Sequence, residues 1–89
     1  MEKKAAHYKL SDVQLIVADS QSRPFTVTAL QGGLALGLTE SERREVVLSL
    51  DLSNFFKSMT ILADQKLWQD VSHGFTPAGV AVYIKITFF

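Results

Sequence analysis

The sequence predicts an α+β domain in which N-terminal helices pack on one face of an antiparallel β-sheet. In the first half of the 89-residue chain, hydroxyl-bearing residues precede apolar stripes at the spacing of helix caps. In the second half, segments rich in β-branched and aromatic residues are separated by turn-forming residues, which is typical of strands. Chains of this length usually form one domain, so we expect residues 1–89 to fold as a single unit.

Two of the predicted helices begin with a capping box, in which an N-cap hydroxyl and a Glu or Gln at N3 satisfy otherwise unpaired backbone N–H groups. In "LSDVQLIVA" the pair is Ser11 and Gln14, and in "LTESERREVVLSL" it is Thr39 and Glu42. Apolar residues follow each box at helical spacing: Val13, Ile16 and Val17 in the first, Val46, Val47 and Leu50 in the second. We expect these residues to face the core.

A third helix is predicted between these two, in "FTVTALQGGLALGL". Its apolar residues fall at helical spacing: Ala29, Leu30, Leu34 and Leu36. Gly32 and Gly33 each cost about 1 kcal/mol relative to alanine inside a helix. Gly37 is a suitable residue for the position just after a helix. The segment is therefore predicted as a short helix that ends at Gly37.

Three strands are predicted in the second half: "FFKSMTIL", "KLWQDVS" and "GVAVYIKITFF". The turn-forming segments "ADQ" or "ADQK" and "HGFTPAG" separate them, which predicts an antiparallel meander. One side of the last strand is uniformly apolar: Val80, Val82, Ile84 and Ile86. That side must meet the helices, so Tyr83 and Lys85 are expected to point away from them.

The register between the first two strands decides where Lys57 points. A loop of three residues, 63–65, or of five, 62–66, pairs Met59 with Gln69 and places Lys57 on their side of the sheet. A loop of two or four residues shifts the pairing by one and sends Lys57 to the side opposite Gln69. We favour an odd loop, because it lets Phe56 and Trp68 join the core side.

With that register, the side of the sheet away from the core, here called the open face, carries Lys57, Met59, Gln69, Tyr83 and Lys85. Lysine can hold a phosphate, and tyrosine and glutamine can stack on or hydrogen-bond to a base. Such a set could bind RNA and assist attack of a 2′-hydroxyl on the adjacent phosphorus without a metal. The simpler interpretation is ordinary solvated or packing residues of a sheet, and periodicity alone leaves both open.

The two histidines are the obvious candidates for acid–base chemistry. His73 belongs to the segment "HGFTPAG" and is predicted to lie exposed in a loop. His7 precedes the first helix and is expected to cap or pack. The sequence has no paired-carboxylate spacing, glycine-rich phosphate loop or metal-ligand cluster, so we expect neither a metal nor a cofactor.

Composition excludes several classes of function. The chain has no cysteine, which removes disulfides and thiolate catalysis. Its formal net charge is +0, which weighs against an extensive electrostatic footprint on nucleic acid. No apolar run approaches the ~20 residues of a membrane span, and the first residues do not form a secretory signal. We therefore expect a cytoplasmic protein with no membrane partner.

Short segments along almost the whole chain resemble the MqsR family of toxins in order and spacing: "LSDVQLIV", "TALQ", "LGLTE", "FFKSMT", "WQDV" and "VYIKIT". The resemblance implies a RelE-like fold and a metal-independent endoribonuclease that cuts mRNA at short specific sequences and arrests translation. It also implies neutralisation by a cognate MqsA-like antitoxin and a link to biofilm and stress physiology. The expected partners are therefore mRNA and an antitoxin, and the oligomeric state is left open.

The resemblance also assigns roles to residues of the open face. The family's catalytic lysine, glutamine and tyrosine correspond to Lys57, Gln69 and Tyr83. The methionine that lines the family's site corresponds to Met59, and Lys85 is expected to add positive charge for RNA binding.

The sequence departs from the family pattern at three places. Phe56 replaces a tyrosine, and residues 72–74 replace a tyrosine and basic residues. The sequence stops at "ITFF", where the family continues into another strand, which implies a C-terminally shortened member whose last strand lies at a sheet edge. These departures support an alternative, a non-catalytic toxin-like module that binds an antitoxin or another protein partner.

Overall fold

The computed structural model describes residues 2–19, 25–61 and 64–88, which form two helices and a six-stranded antiparallel sheet. The elements are β1 (Glu2–Lys3), α1 (Leu10–Ala18), β2 (Phe25–Gln31), β3 (Leu34–Ala35), α2 (Glu40–Leu48), a 3₁₀ turn (Leu52–Asn54), β4 (Phe55–Ile61), β5 (Asp64–Phe75) and β6 (Ala81–Phe88). The strands lie in the order β1-β4-β5-β6-β2-β3. The predicted α+β class is confirmed.

Both helices pack on the same face of the sheet, the covered face. The core joins apolar residues of the two helices to the alternate residues of β6: Val13, Val17, Val46, Val47, Leu50, Val82, Ile84 and Ile86. Val47 and Ile84 are fully buried. The predicted apolar side of the last strand therefore does meet the helices, as the alternation of strand side chains requires.

The capping box predicted for the second helix is confirmed, whereas the one predicted for the first is wrong. Thr39 Oγ1 accepts the Glu42 N–H at 3.1 Å, and Glu42 Oε1 accepts the Thr39 N–H at 3.1 Å. Helix α1 begins two residues earlier than the Ser11 cap requires, with Lys9 as an N-cap that makes no side-chain bond. Gln14 is used elsewhere: its amide donates to the carbonyl of Leu50 at 2.8 Å, beyond the end of α2.

The helix predicted to end at Gly37 is wrong, because this segment forms a β-hairpin. Gly32 and Gly33 have φ values of +57° and +86°, so both adopt the left-handed conformation that a tight two-residue hairpin turn requires. Gln31 pairs with Leu34 across the turn. Strand β2 then pairs with β6 along its length, from Phe25 opposite Phe88 to Leu30 opposite Tyr83.

The last strand lies inside the sheet, so its predicted edge position is also wrong. Strand β6 has β5 on one side and β2 on the other, and the outermost strands are the two-residue strands β1 and β3. Very short outer strands limit the unpaired backbone that a sheet exposes to other chains.

Strand β5 is longer than predicted and takes in the first residues of the segment predicted as a loop. It continues through His73 and Gly74 to Phe75. Gly74 is on the covered face, where an added Cβ would lie only 2.5 Å from Ile84 Cδ1 and 3.2 Å from Leu50 Cδ2. Glycine here allows close packing against the core rather than a turn. Because the alternation continues past Asp70, His73 points to the open face.

Candidate active site

A row of three residues crosses the open face on β4, β5 and β6. Lys57 pairs with Val71, and Val71 pairs with Lys85 on its other side. Val71 is buried, and the two lysines are half-buried. Neighbouring strands lie about 4.8 Å apart, so the Cα atoms of the two lysines are roughly 10 Å apart. The row therefore places one cation on each side of a small apolar floor.

Two further pairs lie on either side of this row along the strands. Met59 pairs with Gln69, which is the predicted register, and His73 pairs with Tyr83. The predicted odd loop is wrong, because only residues 62 and 63, which lie outside the described residues, separate β4 from β5. A register shift between Thr60 and Ile61 makes this two-residue connection compatible with the observed pairing. All five residues that the sequence predicted for this site lie on the open face.

A β-bulge in β4 adds Phe56 to the open face. Phe55 pairs with Ser72 and Lys57 with Val71, so Phe56 is the extra residue between them. Its ring centroid lies 5.3 Å from Lys57 Nζ, on the same side of the sheet. The prediction that Phe56 faces the core is therefore wrong, and Phe55 takes the covered side.

Phe56, His73 and Tyr83 form an aromatic cluster at one end of the open face. The His73 ring lies 4.8 Å from that of Phe56 and 4.7 Å from that of Tyr83, which it meets edge-on at 80°. Tyr83 and Phe56 remain 43% and 41% exposed, and His73 is exposed as well. The cluster therefore fixes the orientation of the imidazole without covering it.

Lys57 is held at the edge of the face by an ion pair with Glu2. Strand β1 places Glu2 opposite Met59, and Glu2 Oε1 lies 2.5 Å from Lys57 Nζ. The hydrogen bond from Lys57 and the charge of its ammonium group lower the pKa of Glu2 below the ordinary value of 4.5. An incoming anion must compete with this carboxylate for Lys57.

Three further side chains of the face, those of Gln69, Tyr83 and Lys85, are available to a ligand. Within the described residues, the side chains of Gln69, Tyr83 and Lys85 form no hydrogen bond or ion pair with other residues. Rigid paired strands hold the Cα positions of all three, which favours a site with fixed geometry.

The N-terminal segment packs on the covered face around Trp68. Trp68 is on the covered face, as predicted, but it is only half-buried and lies outside the apolar core. The His7 ring stacks on it at 5.3 Å, and Lys3 Nζ lies 4.1 Å from the centroid of its ring. His7 therefore packs, one of the two roles expected for it, on the side of the sheet away from Lys57.

Within residues 2–19, 25–61 and 64–88, no group of three or more His, Asp or Glu side chains is placed to hold a metal ion. No helix in these ranges has the length and apolar character to cross a membrane.

The sequence of residues 5–89 matches the family model described as "Motility quorum-sensing regulator, toxin of MqsA". This chain belongs to the MqsR toxin family. The mRNA interferase toxin MqsR of Escherichia coli (strain K12) is 40% identical to it over 87 residues, which cover 98% of this chain and 87% of that protein. The MqsR resemblance seen in short segments such as "FFKSMT" and "WQDV" therefore extends along the whole chain.

Two residues of the open face were missed by reasoning from sequence and from the MqsR pattern: His73 and Phe56. The signal for His73 was present, because Gln69, Val71 and His73 have the same parity along one strand. The predicted strand nevertheless ends before His73, because the glycine at position 74 is typical of a turn. Nothing local in the sequence indicated the bulge that turns Phe56 outward.

Proposed function

We propose that this protein is an mRNA endoribonuclease toxin whose active site is the open face. The observation that carries this proposal is the gathering of Lys57, Gln69 and Tyr83 on one face of three adjacent strands, in a member of the MqsR family. The related protein from Escherichia coli is named for the same activity, mRNA interferase.

The reaction that fits this site is attack by a ribose 2′-oxygen on its own 3′-phosphorus. The 2′-oxygen forms a bond to phosphorus and loses its proton, while the bond from phosphorus to the 5′-oxygen breaks and that oxygen gains a proton. The products are a 2′,3′-cyclic phosphate and a 5′-hydroxyl. The site must align the two oxygens, stabilise charge on the phosphate and move the protons.

Lys57 and Lys85 stabilise the phosphate from the two sides of Val71. Ammonium groups aimed at an oxyanion in a preorganised site are among the strongest contributions to such reactions. Gln69 hydrogen-bonds to the RNA, and Met59 beside it packs against a base. Tyr83 positions the chain by stacking or hydrogen bonding.

Membership of the MqsR family supports the rest of the proposal. Cleavage needs no metal, because the lysines supply the charge that a metal would supply, and it occurs at short specific RNA sequences. The protein acts in the cytoplasm, where it arrests translation. Its partner is an MqsA-like antitoxin that neutralises it.

The test is cleavage of a long mRNA in the presence of EDTA by the wild type, Lys57→Ala and Lys9→Ala. Lys9 is exposed beside α1, far from the open face, so its loss matches the change in charge. We expect discrete fragments with 2′,3′-cyclic phosphate ends from the wild type and Lys9→Ala. We expect Lys57→Ala to be about 100- to 1,000-fold slower, as for the loss of one oxyanion donor.

Two results would contradict the proposal. If Lys57→Ala and Lys9→Ala cleave equally well, the open face is not the active site. If the folded wild type leaves every RNA intact but binds an antitoxin, the protein is the non-catalytic toxin-like module.

A further inference from the structure

We infer that His73 is a catalytic residue that transfers a proton to or from one of the two reacting oxygens. This inference rests on the proposed endoribonuclease function and deepens it. Three observations carry it: where His73 lies relative to the two lysines, how its neighbours hold it, and which proton-transfer groups the open face offers.

The position of His73 follows from the pairing around Val71. Lys57 and Lys85 flank Val71 across the strands, so a phosphate held by both lies above it. Gln69 and His73 lie two residues before and after Val71 on the same face, each about 7 Å away along the strand. In an in-line displacement the attacking and leaving oxygens lie on opposite sides of the phosphorus. We place this axis along β5, because the two lysines already hold the phosphate from across the strands, so that one of the two oxygens faces His73 and the other faces Gln69.

The neighbours of His73 hold its ring in place and leave it accessible. The rings of Phe56 and Tyr83 contact it from two sides, and no hydrogen bond joins its nitrogens to another described residue. A general acid or base needs both a fixed direction and a free nitrogen. The bulge at Phe56 and the close packing of Gly74 both serve this arrangement.

The ionisable groups around His73 are mostly cationic. Strand β4 contributes Lys57, and β6 contributes Tyr83 and Lys85. The N-terminal segment contributes Glu2, which is paired with Lys57, and Lys4, whose Nζ lies 5.8 Å from the Phe56 ring centroid.

Of imidazole, ammonium, phenol and carboxyl groups, only imidazole ordinarily changes its charge between about pH 5 and 8. A group that titrates near the working pH is the most effective proton-transfer catalyst. As a base, His73 takes the proton of the 2′-hydroxyl while the 2′-oxygen bonds to phosphorus. As an acid, it gives a proton to the 5′-oxygen while the bond from phosphorus to that oxygen breaks. In either role, water returns the imidazole to its starting state.

The experiment compares four variants with the wild type on a short RNA that spans a cleavage site mapped on mRNA. His73→Gln removes proton transfer, and His73→Arg keeps a positive charge without it. His7→Gln removes the other histidine, which packs on Trp68 on the covered side. Lys57→Ala reports on the proposed active site itself. The values of kcat and KM are measured from pH 5 to 9, with circular dichroism to verify folding.

We expect His73→Gln and His73→Arg to lower kcat by about 100-fold or more, with KM changed by less than about threefold. One limb of the wild-type pH profile should be absent in both variants. His7→Gln should keep both the rate and the limb.

Four results would overturn the inference. Full activity of His73→Arg would mean that only charge matters at this position. A change in KM alone would make His73 a binding residue. If Lys57→Ala is inactive while His73→Gln keeps the wild-type pH profile, the nuclease stands and the role of His73 falls. If the wild type does not cleave at any pH, the proposed function fails and this inference fails with it.

Discussion

The polar residues on the two sides of strand β5 differ in whether their side chains are hydrogen-bonded within the fold. On the covered side, Asp70 is only 7% exposed, and its two carboxylate oxygens accept the backbone N–H groups of His7 at 3.0 Å and Tyr8 at 2.9 Å. On the open side, Gln69 and His73 have side chains with no hydrogen-bonding partner among the described residues. Asp70 and its neighbour Gln69 thus differ in whether hydrogen bonds within the fold satisfy their side-chain polar atoms.

This difference separates structural from chemical roles. A buried carboxylate is tolerated when hydrogen bonds satisfy it, and here those bonds anchor the N-terminal segment to the sheet. Tyr8 adds a second anchor, because its hydroxyl donates to the Trp68 carbonyl at 2.7 Å. On the open face, the side chains of Gln69 and His73 form no such bonds with the described residues, so they remain available to a ligand.

Replacement of Asp70 should destabilise the fold on the covered side without greatly changing the rate of RNA cleavage. Asp70→Ala leaves two part-buried N–H groups without their acceptor, which should lower the free energy of unfolding by about 2–4 kcal/mol. Asp70→Asn keeps one acceptor oxygen and should lose roughly half as much. Urea denaturation measures both values.

The rate of RNA cleavage by folded Asp70→Ala is the control for this prediction. It should stay within a few-fold of the wild-type rate. Lys57→Ala should instead lower the rate of cleavage strongly, with only a small effect on the free energy of unfolding. Loss of cleavage in Asp70→Ala with unchanged unfolding would place the chemistry on the covered side.

Replacement of Glu2 should have a smaller effect, confined to the open side. Glu2→Gln removes the carboxylate that competes with a phosphate for Lys57, so RNA affinity should rise about two- to fivefold at low salt. Glu45→Gln, on the exposed side of α2, makes the same change in net charge. Fluorescence anisotropy with 2′-O-methyl RNA measures both, and an equal rise in both variants would assign the effect to net charge alone.

The pKa of Glu2 gives a second test of the same contact. Because folding lowers this pKa below 4.5, the Glu2–Lys57 pair contributes to stability above that pH, and the contribution is lost as the pH falls through the lowered pKa. In Lys57→Ala the pKa of Glu2 should rise towards its ordinary value, because Lys57 is the largest cause of the shift. Nuclear magnetic resonance of the carboxyl carbon measures the shift, and an unchanged pKa would show that Lys57 does not hold Glu2.

The parts of the site that depend on strand alternation could be predicted from sequence. Met59 opposite Gln69, and Tyr83 and Lys85 pointing away from the helices, follow from the two-residue period and the apolar side of β6. The capping box of Thr39 and Glu42 could also be predicted, because its two residues are close in sequence. The family resemblance then indicated which of these outward residues matter.

The rest depends on contacts that are distant in sequence. Gly32–Gly33 counts as a cost within a helix, but two glycines that follow a segment rich in β-branched residues, Thr26–Thr28, are also a hairpin signal. The hairpin forms because β2 pairs with β6, more than 50 residues later. The bulge at Phe56 and the strand position of Gly74 are likewise set by partners across the sheet.

The most direct test of the central claim, that RNA binds the open face, is a side-chain NMR titration with 2′-O-methyl RNA of mixed sequence. This probe cannot be cleaved because its 2′-oxygens are blocked. We predict shifts at the Met59 and Val71 methyl groups and the His73 ring, and none at the Val47 and Ile84 methyl groups. Shifts at Val47 and Ile84 with none on the open face would contradict the claim.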